Sequence, residues 1–154
     1  MNISDILDAQ SIVTDIQATD KEGILQELVG HLAKVKDLGD KKAIVKSLIE
    51  RENLGSTGIG QGIAIPHGKT DKISEISACL GISRQGVNFD ALDGELVYIF
   101  FLLVAPKDSA GPHLKALAKI SRLLRDDYFC KLLRNSDSEK DIFDLVVQEE
   151  VRRS

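Results

Sequence analysis

Cysteine is scarce in this chain of 154 residues, with only Cys79 and Cys130, far apart and outside any CxxC or Cys/His ligand spacing. That excludes a disulfide framework and a zinc site, and both are expected to be core thiols. Long hydrophobic runs are also missing. The strongly apolar run Leu96 to Val104 has nine residues, far too few for a membrane-spanning helix, and Met1 to Asp8 carries acidic residues and no long apolar run. A cytoplasmic location is expected. Basic residues are never massed: 20 Lys and Arg stand against 24 Asp and Glu, giving a net charge of -4. A nucleic-acid surface needs clustered cations, so a metabolite or protein partner is expected instead. Internal repeats, low-complexity tracts and long linkers are absent, and the length suits one domain over residues 1–154.

Glycine is concentrated where these other signals are thin. Five of the twelve glycines fall in Gly55-Ser56-Thr57-Gly58-Ile59-Gly60-Gln61-Gly62-Ile63-Ala64-Ile65-Pro66-His67-Gly68-Lys69. Glycine permits backbone angles and close approach that other residues resist, at an entropic cost on folding. His67 is the one reactive side chain in that stretch.

Around it the chain alternates strand and helix signals. Ser11 to Ile16 is β-leaning, and Thr19-Asp20 caps a helix whose apolar stripe is Ile24, Leu25, Leu28, Leu32 and Val35. His31 lies at the edge of that stripe with no partner motif, which suits a packing role. Asp40 caps a second helix, Lys41 to about Asn53, with Ala43, Ile44, Ser47, Leu48 and Arg51 on one side. Arg51 either satisfies the helix C-terminus or points its fork at an anion bound by the glycine segment. Ile76 to Ser83 alternates as a strand, and Leu96 to Val104 suits a central strand buried on both faces. Ala110-Gly111-Pro112-His113 opens a helix to about Asp126 with an inward row of His113, Leu117, Ile120 and Leu124. His113 therefore stands at a helix N-terminus, where free N–H groups favour an anion. Tyr128 to Leu133 is a short segment before a last helix that starts near Ser136 to Ser138, and the charged tail Glu149 to Ser154 is expected to fray.

Gly68-Lys69-Thr70 imitates the end of a P-loop, but the required glycine five residues before Gly68 is Ile63. Gly58, Gly60 and Gly62 likewise lack dinucleotide-site spacing and follow a helix rather than a strand. No serine or cysteine motif for acyl transfer and no metal-ligand cluster accompanies the segment, and no cofactor is expected. Two readings stay open. One is a buried histidine satisfied by a backbone carbonyl; the other is a neutral imidazole that carries a phosphoryl group between suitable donors.

Arg51-Glu52, GSTGIGQGIAIPHGK at Gly55 to Lys69, and Pro112-His113-Leu114 opening a helix that continues to Leu123-Leu124-Arg125-Asp126 closely resemble the enzyme IIA domain of the phosphoenolpyruvate-dependent phosphotransferase system. The likeness is to the fructose/mannitol class and above all its nitrogen-regulatory branch, over essentially the whole chain. It implies an α/β fold, a mixed sheet of about five strands with helices on both faces. It further implies that His67 accepts phosphate from the carrier HPr or a nitrogen-branch counterpart, that His113 assists, and that Arg51 stabilises the phosphate. Ser56, Thr57, Gly58, Gly60, Gly62 and Gly68 are then read as the phosphate cradle. A regulatory role is the first expectation. The alternatives are a sugar-specific component passing phosphate to an enzyme IIB cysteine, and a non-catalytic binding module that has kept the fold and binds regulatory targets.

Overall fold

A computed structural model describes residues 2–153. The elements run α1 (Ile3–Ile6), β1 (Leu7–Val13), α2 (Lys21–Leu32), α3 (Lys41–Asn53), β2 (Gly58–Gly60), β3 (Ile63–Ala64), β4 (His67–Thr70), β5 (Ser77–Val87), β6 (Val97–Pro106), α4 (Ala110–Leu123), α5 (Asp127–Asn135) and α6 (Glu139–Arg153). The expected caps operate: Asp20 accepts from Gly23 N, and Asp40 from Lys42 N and Ala43 N. Both satisfy N–H groups that a helix start leaves unpaired.

The sheet is mixed, with strand order β1-β5-β6-β3-β2 and β4 also pairing with β6. Six strands form, where about five were expected, because β4 is a separate short strand after an interruption at Ile65-Pro66. The apolar run Leu96 to Val104 becomes the centre of β6, which pairs antiparallel with β5 and parallel with β3 and β4. Its side chains alternate between two cores. Ile99, Phe101 and Leu103 pack with α4, α5 and α6, while Phe100, Leu102 and Val104 pack with α2 and α3. Helices thus cover both faces, as a strand apolar on both sides requires.

Several boundaries differ from the sequence expectation. β1 starts at Leu7, before Ser11, because its ladder with β5 is irregular: Leu7 pairs with Ala78 but Ile12 with Leu80. Buried Ser11 bridges that irregularity, donating its hydroxyl to Asp8 O and Ala78 O. In α3 the buried row is Ile44, Leu48 and Glu52, spaced by four, and Ala43 is exposed. Arg51 is half-buried beside that row, so it does not close the inward stripe as expected. Helix α6 stays regular to Arg153, because Glu149 accepts from both Arg152 and Arg153, which also reach Asp126. Ser154, the end of the tail expected to fray, lies outside the described residues. Both thiols are buried and free, and burial pushes Cys79 up to about 12 and Cys130 up to about 11.

Candidate functional site

His67 owes its position to a sequence of short-range events. Gln61 and Gly62, at φ 58° and 82°, turn β2 back onto β3, the pair of positive angles that a two-residue hairpin of the right twist requires. β3 then runs along β6 until Pro66, which lacks an N–H but whose carbonyl accepts from Leu103 N. His67 is the first residue after the interruption and pairs with Leu103. Register partners project to one face of a sheet, so His67 looks toward the α4 side, and Lys69, two residues on, shares that face. Gly68 faces the other way, where a Cβ would stand 3.1 Å from Leu48 of α3.

A cleft of about 400 Å³ opens here, lined by His67, Gly68 and Lys69 of β4, Ser47 and Arg51 of α3, and Ala110, His113, Leu114 and Leu117 of α4. It therefore unites the three residues picked out at long range in the sequence. The rings of His67 and His113 meet edge to face, with centroids 5.5 Å apart. His67 Nδ1 lies 2.9 Å from Ile65 O. A carbonyl can only accept, so the proton sits on Nδ1 and the lone pair on Nε2. Arg51 donates through Nη1 to Gly55 O at 2.8 Å, which anchors one nitrogen of its fork and leaves the rest of it at the cleft.

The electrostatics favour the neutral form of both rings. Burial holds His67 below the usual imidazole range; the bond to Ile65 O pulls upward, and the charges of Arg51 and Glu52 act in opposite senses. His113 is depressed further, to about 4, by burial first and then by His67 and Lys69. It is 5% exposed, and its Nε2 is the one buried side-chain nitrogen or oxygen without a hydrogen-bond partner among the described residues. Leaving such a group unpaired is costly, so this nitrogen is a hydrogen-bonding position that the protein itself does not satisfy.

The residues expected to form a cradle divide. Gly68 lines the cleft, whereas Gly58, Gly60 and Gly62 shape the hairpin: a Cβ on Gly58 would stand 2.9 Å from Ala91, and Gly60 and Gly62 lie against Asp93 and Tyr98. Ser56 donates to Phe89 O, and Thr57 is engaged by Glu52. Glu52 and Lys69 stand inside the quoted motifs, but sequence reasoning assigned neither of them a role at the site. A carboxylate at a position in step with Ile44 and Leu48 was the signal for the first, and the two-residue spacing from His67 on a strand was the signal for the second. His31, half-buried at the edge of the α2 stripe, takes no part in the cleft. A larger groove of about 710 Å³ runs between α2 and α3 but contains no histidine, arginine or cysteine.

Comparison with known proteins bears on what such a cleft does. Residues 5–149 match the family model described as phosphoenolpyruvate-dependent sugar phosphotransferase system, EIIA 2. A nitrogen regulatory protein of Bradyrhizobium diazoefficiens is 36% identical over 146 residues, covering 95% of each chain. The fructose-specific EIIABC component of Bacillus subtilis is 35% identical over 148 residues, 96% of this chain; the chain spans only 23% of that protein's length. Among solved structures, nitrogen regulatory protein IIA-Ntr from Neisseria meningitidis superposes with a TM-score of 0.87 at 30% identity, covering 94% of this chain and 98% of that one. The complex of enzyme IIAMTL and phosphorylated enzyme IIBMTL from Escherichia coli shares the fold, with a TM-score of 0.78 at 19% identity and coverage of 93% and 99%.

Proposed function

This chain belongs to the EIIA type 2 family of the phosphoenolpyruvate-dependent sugar phosphotransferase system, and from that premise we propose that it is a phosphoryl-group carrier whose acceptor atom is Nε2 of His67. The observation that carries the reading is the Nδ1 contact to Ile65 O, which leaves the Nε2 lone pair free on a ring held neutral by burial. Neutral imidazole is a good nucleophile near pH 7. The donor is HPr or its nitrogen-branch counterpart. Nε2 attacks phosphorus in line; the bond to the donor's nitrogen breaks, and its electron pair leaves with the donor histidine. Catalysis is then chiefly positioning and charge stabilisation. Arg51, His113 and Lys69 converge on the cleft with the donors that three phosphoryl oxygens need.

A regulatory role is the first reading of what the phosphate controls. It is supported by near end-to-end similarity to the Bradyrhizobium nitrogen regulatory protein. Supply of phosphate to an enzyme IIB cysteine is the second, supported by similarity to the Bacillus fructose-specific component. Either role places the chain in the cytoplasm, and among the described residues no helix is long and apolar enough to cross a membrane. Incubation with phosphoenolpyruvate, enzyme I and HPr tests the acceptor assignment. The protein takes up label, His67→Ala takes up none, and His113→Ala and Arg51→Ala accept it at least about tenfold more slowly. Label persisting in His67→Ala would contradict the reading.

A further inference from the structure

Glu52 lies under the cleft and outside the chemistry described so far. The residue is 5% exposed, and both of its carboxylate oxygens have partners. Oε1 accepts from Thr57 N at 3.1 Å and faces Lys21 Nζ at 3.1 Å, while Oε2 accepts from the Thr57 hydroxyl. Lys21 is held in turn over the Phe89 ring, 4.7 Å from its centroid, and 3.6 Å from Asp90. A buried ion pair is a poor way to gain stability, since desolvation of the charges offsets most of their attraction, and apolar side chains of similar volume serve packing as well or better. The charge at this position therefore calls for another explanation.

The explanation lies in what Thr57 holds. Thr57 O accepts from Ile65 N at 3.1 Å, and Ile65 O accepts from His67 Nδ1 at 2.9 Å. Glu52, Thr57, Ile65 and His67 thus form one line of hydrogen bonds that runs from a buried anion to the imidazole. The turn after α3 is closed separately by the backbone, where Gly55 N donates to the Glu52 main-chain carbonyl and Gly55 O accepts from Arg51 Nη1. Bonds to an ionised acceptor are shorter and stronger than neutral ones, so Glu52 is the strong end of the line. We propose that Glu52, balanced by Lys21, is a positioning residue: by fixing Thr57 it fixes Ile65, and so keeps the proton of His67 on Nδ1 and Nε2 turned to the cleft. It touches no reacting atom.

The tautomer of His67 is the readout, because a merely structural role would not move it. Two-bond proton–nitrogen correlations on the unphosphorylated, 15N-labelled protein show the neutral His67 ring protonated on Nδ1. In Glu52→Gln the ring becomes a mixture of both tautomers, and phosphate acceptance from phospho-HPr slows by about tenfold or more, as expected when a reacting atom loses its fixed orientation. Thr57→Val keeps the volume and leaves Glu52 in place. It shifts the tautomer in the same direction and carries the measurement if Glu52→Gln does not fold. A ring that stays wholly Nδ1-protonated in both variants, or a parent ring protonated on Nε2, would overturn the proposal. The rate arm rests on His67 being the acceptor, but the ring measurement does not. Failure of the parent protein to take label at His67 would sink the proposed function and leave Glu52 to be judged on the tautomer.

Discussion

At His67 two opposing effects meet on one ring. Burial and Arg51 disfavour the imidazolium, while the Ile65 carbonyl and Glu52 favour it, and burial wins. His113 lacks such support and is depressed to about 4. That has a consequence for stability. In the unfolded chain His113 takes its proton near the ordinary value of about 6.5, and in the folded protein only near 4. Between those limits the unfolded state binds more protons, so the contribution is complete above about pH 6.5 and is lost as pH falls toward 4. Urea unfolding should show a loss on the order of 1–2 kcal/mol between pH 7 and pH 5 from this residue, and His113→Asn should shrink that loss. Pairing and hydrogen bonding hold Glu149 and Asp126 below the usual carboxylate range, so they act in a lower window; His67, lowered in the same direction as His113, acts in the same window in both proteins, so the difference between parent and variant is what reports His113. An equal loss in the variant would show that His113 is not held neutral.

His67, His113 and Arg51 were legible at this scale because each is a reactive type at a special place: a glycine-rich segment, a helix start, a helix end. Glu52 was not, although it stands next to Arg51. Acidic residues are almost never fully buried unless paired, so a glutamate in a helix reads as solvated until its partners are known. Those partners, Lys21 and Thr57, come from two other segments.

At the scale of elements, the hairpin β2–β3 places the site without lining it. Its turn sets where β3 meets β6, and therefore where His67 emerges past Pro66. Gln61 occupies a left-handed angle, φ 58°, that asparagine tolerates better. Gln61→Asn should raise stability by a few tenths to about 1 kcal/mol, read from the urea midpoint at unchanged slope. The Gln61 N–H bond to Asp93 survives that change. A lower midpoint would mean that the side chain has a role the turn geometry does not explain. Glycine content was visible in the sequence, but its meaning was divided between turn and cleft in a way that only strand pairing resolves. The same holds for β1, whose irregular ladder defeats a reading based on strict alternation. In contrast, β6 and the caps of α2 and α3 were readable because their signals are local.

Over the whole molecule, the sheet separates two cores, and the cleft sits where both contribute. Arg51 arrives on α3 from one face and His113 on α4 from the other, with His67 on a short strand between them. Fold class and helix placement on both faces were expected from the family resemblance, and the apolar central strand flanked by amphipathic segments agrees with them. Which side each residue would approach from was not, because crossover and register are long-range properties. On the proposed reading the chemistry falls to one atom, since Nδ1 is tied to Ile65 O and Nε2 is not. The direct measurement is the position of the phosphoryl group after incubation with phosphoenolpyruvate, enzyme I and HPr, read by phosphorus–nitrogen correlation in 15N-histidine-labelled protein. One phosphohistidine, at Nε2 of His67, is the expected result; phosphate on Nδ1, or on any residue other than His67, would contradict it.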